Sequence, residues 1–179
     1  MIDRCEEAGV KTVLDVLDLE DEARNQLLQM TPSQLGQVAR FANAFPSINV
    51  EHEVVDPSSL NASTPIEVKV ALEREVDEDE EVEPIVNAQF YPYKKTEANW
   101  VVIGEPSSKT LLAIKRINLV RSHNLTLSFQ LPAGHHQLQL SLISDSYVGS
   151  DLAFDLSVNV APGEPSDDED EDAMDEDDD

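Results

Sequence analysis

One change of hydrophobic period constrains the fold of this chain more than any other feature. Before Pro46, apolar residues recur every three or four positions, which is the period of a helix with one buried face. From Ile48 onward they recur at every second position, which is the period of a strand. The alternation is clearest in residues 66–72, 125–131, 138–142 and 152–160. The chain therefore predicts a helical segment followed by a segment made only of strands.

The first 46 residues carry the signals of short, closely linked helices. A first helix is expected from Ile2 to Ala8, with Gly9 as its stop. The last helix has the strongest start signal, because Thr31, Pro32 and Gln34 fit an N-cap, a first helical turn and a capping box. The chain begins inside the first of these helices, which we interpret as the sign of a piece of a longer protein.

The remaining ordered region predicts about seven short strands without intervening helices, and hence an antiparallel β-sandwich of immunoglobulin or fibronectin kind. Its central hairpin is expected to join residues 100–103 to a strand that starts at Thr110, and we expect the lone Trp100 to lie between the two sheets. The fold class is thus α+β, with a small helical (helix-loop-helix) domain at 1–46 and the sandwich at 47–162.

The net charge of −25 belongs to two segments and not to the fold. Residues 73–83 hold eight acids and one base, and residues 163–179 hold twelve acids and no base. Outside them the net charge is only about −6, which is ordinary for a small domain. We expect a long acidic loop at 73–83 and a disordered acidic tail at 163–179. In the tail, three acids directly follow Ser166, a pattern that suits an acid-directed kinase and predicts phosphorylation.

No enzyme or cofactor site is predicted. The stretch from Gly104 to Thr110 resembles a phosphate-binding loop, but it lacks the second Gly before Lys109, and a strand pattern follows where a helix is needed. His135 and His136 are interpreted as a turn pair in a surface loop, without the further ligands of a metal site. We find no nucleophile–base pair, no small-molecule substrate site and no apolar run long enough to span a membrane.

Basic and aromatic residues gather around the central hairpin. The candidate contact residues are Tyr91, Tyr93, Lys94, Lys95 and Arg116. One interpretation is a surface that binds nucleic acid or an acidic partner, because bases and aromatics suit both. The other is a solvated sheet face, which we favour because the chain is otherwise net acidic.

A set of motifs then points to a family. Residues 40–46 (RFANAFP) lead into residues 90–95 (FYPYKK), 100–104 (WVVIG), 114–116 (IKR) and 144–149 (SDSYVG), in that order. This resembles the C-terminal part of the Sec63 homology domain. More narrowly, the chain resembles the extreme C-terminus of the large two-cassette RNA helicases of the spliceosomal U5 particle.

The resemblance implies a helix-loop-helix part, an immunoglobulin-like part and a non-catalytic role in protein interaction and regulation. It implies a nuclear location and two kinds of partner, other spliceosomal proteins and the helicase cassettes of a parent chain. A first alternative is the cytosolic domain of the Sec63-type translocon subunit of the endoplasmic reticulum. A second is an accessory domain that contacts RNA, although acidic residues outnumber the four bases of residues 1–46.

Overall fold

A computed structural model describes residues 2–76, 84–88 and 90–163 of the 179-residue chain. Four helices come first: α1 (Ile2–Glu7), α2 (Val13–Leu17), α3 (Asp21–Leu28) and α4 (Pro32–Asn43). Seven strands follow: β1 (Ile48–Val54), β2 (Ile66–Arg74), β3 (Asn99–Glu105), β4 (Thr110–Ile117), β5 (Ser122–Phe129), β6 (Gly134–Ser144) and β7 (Leu152–Val160). The α+β class and the switch from helices to strands before Ile48 are confirmed.

The helix ends follow the local chemistry of the sequence. The Thr31 side chain caps α4 by accepting from the Gln34 backbone, and the Gln34 side chain accepts from the Thr31 N–H. The predicted capping box is therefore confirmed. Helix α2 has the same device, with Thr12 as its cap and Asp15 as the reciprocal acceptor. After α1 the backbone turns at Gly9, whose φ of +74° is a left-handed conformation that glycine adopts without strain.

The strands form two antiparallel sheets. One has the order β1-β2-β5 and the other has the order β4-β3-β6-β7. Strand β3 pairs with β4 on one side and with β6 on the other, so the expected hairpin is confirmed and lies inside the larger sheet. The hairpin contains a bulge between Ile103 and Gly104. A side chain at Gly104 would meet the Thr110 carbonyl oxygen at 3.0 Å, which is why glycine fits this bulge.

A single apolar core fills the space between the sheets. Its most deeply buried members include Ile66, Val68, Ile103, Leu119 and Leu140. Every second residue of β2 from Ile66 to Arg74 faces inward, as the alternation predicts for a half-buried strand. The two-sheet architecture of the prediction is confirmed.

The expectation for Trp100 was wrong. Asn99, Val101 and Ile103 face the core, whereas Trp100 points to the outer face of the larger sheet and is 37% exposed. The run Trp100–Ile103 is apolar throughout, so it gives no alternation from which the inward face could be read, and a shift of one residue reverses every side chain.

The structure also corrects the positions of the histidine pair and of the start of the acidic segment. His135 and His136 lie inside β6, not in a surface loop. The acidic segment was expected to start at residue 73, but Glu73 and Arg74 are the last residues of β2. Residues 77–83 and 164–179, which hold most of the expected loop and tail, lie outside the described residues.

The helical part touches the sandwich at the turn between β6 and β7. The Tyr147 ring packs edge-on against Phe45, just after α4, with 5.2 Å between ring centroids. Gly149, with a φ of +89°, lies so close to Thr12 that an added Cβ would be 2.9 Å from its methyl carbon. The turn from Ser144 to Ser150 therefore serves as the joint between the two parts.

Candidate interaction site

Two of the predicted contact residues converge on one carboxylate, Asp145. Arg116 Nη2 donates to Asp145 Oδ2 at 2.7 Å, and Lys95 Nζ lies 3.3 Å from Asp145 Oδ1. Lys95 also donates to the Asp145 carbonyl oxygen. The backbone N–H of Ala98 and the Ser146 hydroxyl donate to Oδ1 at 3.1 and 2.6 Å. Asp145 thereby ties the end of β4 to the segment before β3.

The ionised form of Asp145 is strongly favoured. Burial raises its pKa, but hydrogen bonds from Ser146, Arg116, Ala98 and Lys95 together outweigh this and lower the pKa to about 2. Asp145 is therefore fully charged at neutral pH. Because it offsets the charge of Lys95 and Arg116, those two bases are less available to a partner than the sequence suggested.

Arg116 makes a second contact, with Trp100. Its guanidinium carbon lies 5.7 Å from the centre of the indole ring, within the range of a cation–π interaction. Arg116 and Trp100 face each other across β4 and β3, so the sheet register sets this contact. The half-exposed Trp100 is thus held in place by the side chain that also binds Asp145.

The other predicted contact residues remain at the surface. Tyr91, Tyr93 and Lys94 are exposed, in the turn that precedes β3. Hydrogen bonds hold the ends of this turn: Val86 N donates to the Lys95 carbonyl. Next to it, Asn87 N donates to the Tyr147 hydroxyl at 3.2 Å. The structure therefore separates the predicted group into a paired set, Lys95 and Arg116, and an exposed set.

A second ion pair lies beneath this surface. Arg74 Nη2 donates to Glu97 Oε1 at 2.6 Å, and only 6% and 4% of the two side chains is exposed. Glu97 precedes Ala98, whose N–H binds Asp145, so the inner and outer pairs are neighbours. Sequence reasoning counted Arg74 as part of the acidic segment. Residues 66, 68, 70 and 72 alternate inward, and Arg74 is the next position in that series. This spacing was the signal that could have predicted its burial.

A third polar cluster closes the opposite end of the larger sheet. His136 Nδ1 lies 3.0 Å from Glu105 Oε1, and its Nε2 lies 3.0 Å from the Pro132 carbonyl oxygen. Both ring nitrogens thus face acceptors. The bond to Glu105 raises the pKa of His136, and donation from Ser108 and then His136 lowers the pKa of Glu105.

The described residues contain no group of three or more His, Cys, Asp or Glu side chains placed to hold a metal. None of the helices in that part of the chain is long and apolar enough to cross a membrane. The stretch from Gly104 to Thr110 is the β3–β4 turn, with Lys109 at a φ of +56° and β4 directly after it. A helix N-terminus that would hold phosphate is therefore missing from this turn.

The chain matches the family model described as the Sec63 Brl domain over residues 4–157. It is 44% identical to the U5 small nuclear ribonucleoprotein 200 kDa helicase of Homo sapiens, over 94% of this chain and 8% of that protein. It is 43% identical to pre-mRNA-splicing factor brr2 of Schizosaccharomyces pombe, over 96% of this chain and 8% of that protein. It is 37% identical to the DExH-box ATP-dependent RNA helicase DExH13 of Arabidopsis thaliana, over 92% of this chain and 8% of that protein. The chain thus corresponds to less than a tenth of the length of these relatives.

Proposed function

Because the chain belongs to the Sec63 Brl domain family, we propose that it is a non-catalytic protein-interaction and regulatory module that acts in pre-mRNA splicing. The observation that carries the proposal is the identity of 43–44% to a U5 helicase and a splicing factor over nearly all of this chain. Its partners are other spliceosomal proteins and the helicase cassettes of such a protein, and its location is the nucleus.

The polar geometry supports a binding role over a reaction. The Asp145 carboxylate accepts from Ala98, Ser146 and Arg116, and Lys95 Nζ lies 3.3 Å from it, so it is not a free base. Glu97 is buried against Arg74. What remains for a partner is exposed side-chain surface, of which Tyr91, Tyr93 and Lys94 are the part marked by sequence. Large amphipathic aromatics are typical of protein interfaces.

The arrangement of arginines in the helical part argues against the RNA-contacting alternative. Arg4 donates to the carbonyls of Leu27 and Leu28, at the C-terminus of α3. Arg24 donates to the carbonyls of Val16, Leu17 and Leu19, at and just beyond the end of α2. These guanidinium groups satisfy helix C-termini, so they are not free to bind phosphates.

Affinity purification tests the proposal and separates it from the translocon alternative. The tagged chain is incubated with nuclear extract and with solubilised endoplasmic reticulum membranes, and the retained proteins are identified by mass spectrometry. We expect U5 particle proteins to be retained from the nuclear extract. Retention of translocation subunits alone would contradict the splicing role, and the tag without the chain serves as the control for non-specific capture.

Ser166 lies outside the described residues, and we propose it as a phosphorylation site of the acidic tail on the sequence pattern alone. A phosphate there would add negative charge to a segment that already holds twelve acids and would strengthen its attraction to basic partners. Phosphopeptide mapping of the chain from cells is the test, and an unmodified Ser166 would remove the site.

A further inference from the structure

The His136 ring lies between two turns at one end of the sandwich. His136 is on the inward-facing side of β6, in series with the buried Leu138 and Leu140, and only 14% of its side chain is exposed. One of the turns is the β3–β4 turn, which starts after Glu105, and the other is the β5–β6 turn at residues 130–133. The proposed binding role makes no use of this largely buried ring.

Each nitrogen of the ring faces an acceptor. Nδ1 lies 3.0 Å from Glu105 Oε1, and Nε2 lies 3.0 Å from the Pro132 carbonyl oxygen. A neutral imidazole has one N–H and one lone pair, whereas an imidazolium donates from both nitrogens. Because the carbonyl oxygen can only accept, the bond at Nε2 requires a hydrogen there. The same holds at Nδ1 when Glu105 is ionised, so only the charged ring makes both bonds.

Glu105 is held in its ionised form. Its second oxygen, Oε2, accepts from the Ser108 hydroxyl at 2.5 Å. The hydrogen bonds from Ser108 and then from His136 lower the pKa of Glu105 below its ordinary value of 4.5. A carboxylate whose two oxygens both accept has no proton to give to Nδ1. The second hydrogen must therefore belong to the ring itself.

The surroundings leave the charge of the ring dependent on one carboxylate. Among the residues that the structure describes, Glu105 is the only charged side chain in contact with the ring. On β7, the residue in register with His136 is the apolar Val158. On the smaller sheet, the inward residues at the same end are Ile66 and Phe129, which are also apolar. Lys109, in the β3–β4 turn, is exposed, so solvent screens its charge.

We propose that His136 is a pH-sensitive latch, in which the hydrogen on Nε2 holds the β5–β6 turn and its loss releases that turn. A neutral ring keeps one N–H, and it keeps the one at Nδ1 because a carboxylate is a stronger acceptor than a carbonyl. Nε2 then presents a lone pair to the Pro132 oxygen, and the attraction becomes a repulsion. This proposal goes beyond the proposed function and does not depend on it.

The latch is closed at low pH and opens as the pH rises. The hydrogen bond to Glu105 raises the pKa of His136 above its ordinary 6.5, although burial opposes this. The bond to Pro132 is therefore complete below pH 6.5 and is lost as the pH rises through the raised pKa. Leu131 stays buried in the core, so the release is confined to residues 132–134. An added Cβ at Gly134 would lie 3.7 Å from Nε2, which places Gly134 beside the latch.

Nuclear magnetic resonance of the full chain tests this proposal. Long-range 1H–15N spectra of the ring report the hydrogen on each nitrogen separately. We expect both nitrogens of His136 to be protonated below pH 6.5, and Nε2 to lose its hydrogen first as the pH rises. Over the same titration, hydrogen exchange of the Ala133 and Gly134 amides, corrected for the intrinsic effect of pH, should rise at least about threefold.

Variants connect the ring to the turn. Glu105→Gln keeps the shape but removes the charge, so it should move both the loss of the Nε2 hydrogen and the rise in exchange to lower pH. Glu51→Gln removes the same charge from β1, in the smaller sheet, and is the matched control, which should change neither. His136→Gln cannot titrate, so the corrected exchange of the turn should no longer depend on pH.

Any of three results would overturn the proposal. The first is a single protonated nitrogen on His136 below pH 6.5. The second is an equal shift of the titration in Glu105→Gln and Glu51→Gln. The third is a rise in the corrected exchange of Ala133 and Gly134 that persists in His136→Gln.

Discussion

Two arginine–carboxylate pairs lie at the same end of the sandwich, one inside it and one at its surface. The donor–acceptor distances are nearly equal, 2.6 Å for Arg74–Glu97 and 2.7 Å for Arg116–Asp145. The side chains of the inner pair are almost fully buried, whereas Arg116 is half exposed. The comparison shows that distance alone does not give the energetic role of an ion pair, since burial decides how much is lost when one partner is removed.

The largest effect is expected at the inner pair. Arg74→Met removes the only charge that compensates Glu97 among the described residues, and it should lower the free energy of unfolding by about 3–5 kcal/mol. Urea unfolding followed by circular dichroism gives this value.

The double variant Arg74→Met with Glu97→Leu sharpens the result. It removes both charges together with the unsatisfied Arg74 Nε, so it should recover most of the lost stability. A single variant within about 1 kcal/mol of the unsubstituted chain would show that water reaches Glu97, and the inner–outer distinction would fail.

A smaller effect is expected at Asp145. Asp145→Asn keeps the shape but loses the charge that Lys95 and Arg116 bind, and it should cost about 1–3 kcal/mol at neutral pH. The loss should exceed that of Arg116→Ala, because Arg116→Ala leaves the charge pair between Lys95 and Asp145 in place.

The pH dependence of Asp145 gives an independent check. Its pKa is lowered from an ordinary 3.8 to about 2, so its contribution is present above pH 3.8 and is lost as the pH falls through about 2. The difference in unfolding free energy between the unsubstituted chain and Asp145→Asn should therefore shrink over that range. A constant difference down to pH 2 would contradict the assignment.

Arg116→Ala should change stability by less than about 1 kcal/mol, because exposed pairs contribute little. It should nevertheless alter the emission of Trp100, since the guanidinium lies over the indole. Lys69→Ala, on the polar face of the other sheet, is the control and should leave the emission unchanged. A large loss of stability would contradict this prediction, because it would show that the outer pair contributes as much as the inner pair.

The smallest effect is expected at the pair between His136 and Glu105, in which the cation is a histidine. The pKa of His136 is raised, so its contribution is complete below its ordinary value of 6.5 and is lost as the pH rises through the raised pKa. The contribution of Glu105 to stability is present above pH 4.5, its ordinary pKa, and is lost as the pH falls through its lowered pKa. The melting temperature should therefore fall slightly above neutral pH, and Glu105→Gln should flatten this slope. Equal slopes in the two proteins would contradict the pairing.

The elements of the fold were predictable because they depend on local signals. The capping box at Thr31, the Gly9 stop and the alternation of β2 each fix an element from a few neighbouring residues. The inward face of β3 was not predictable, because Trp100, Val101, Val102 and Ile103 are all apolar and only the register with β4 and β6 decides it.

The candidate site was predictable in composition but not in pairing. The bases Lys95 and Arg116 were identified, but the carboxylate that joins them is 50 and 29 residues away in sequence. Burial of Arg74 against Glu97 likewise spans 23 residues. Which charges neutralise each other depends on the sheet topology, which brings together residues far apart in sequence.

The turn from Ser144 to Ser150 has a mechanical consequence. Within it, Asp145 holds Arg116 and Lys95, and Tyr147 two residues later packs on Phe45 beside α4. Gly149 adds a close contact with Thr12 at the start of α2. One short segment therefore carries both the ion pairs of the sheet surface and the contacts with the helical part. A substitution that shifts this turn would disturb both sets of contacts at once.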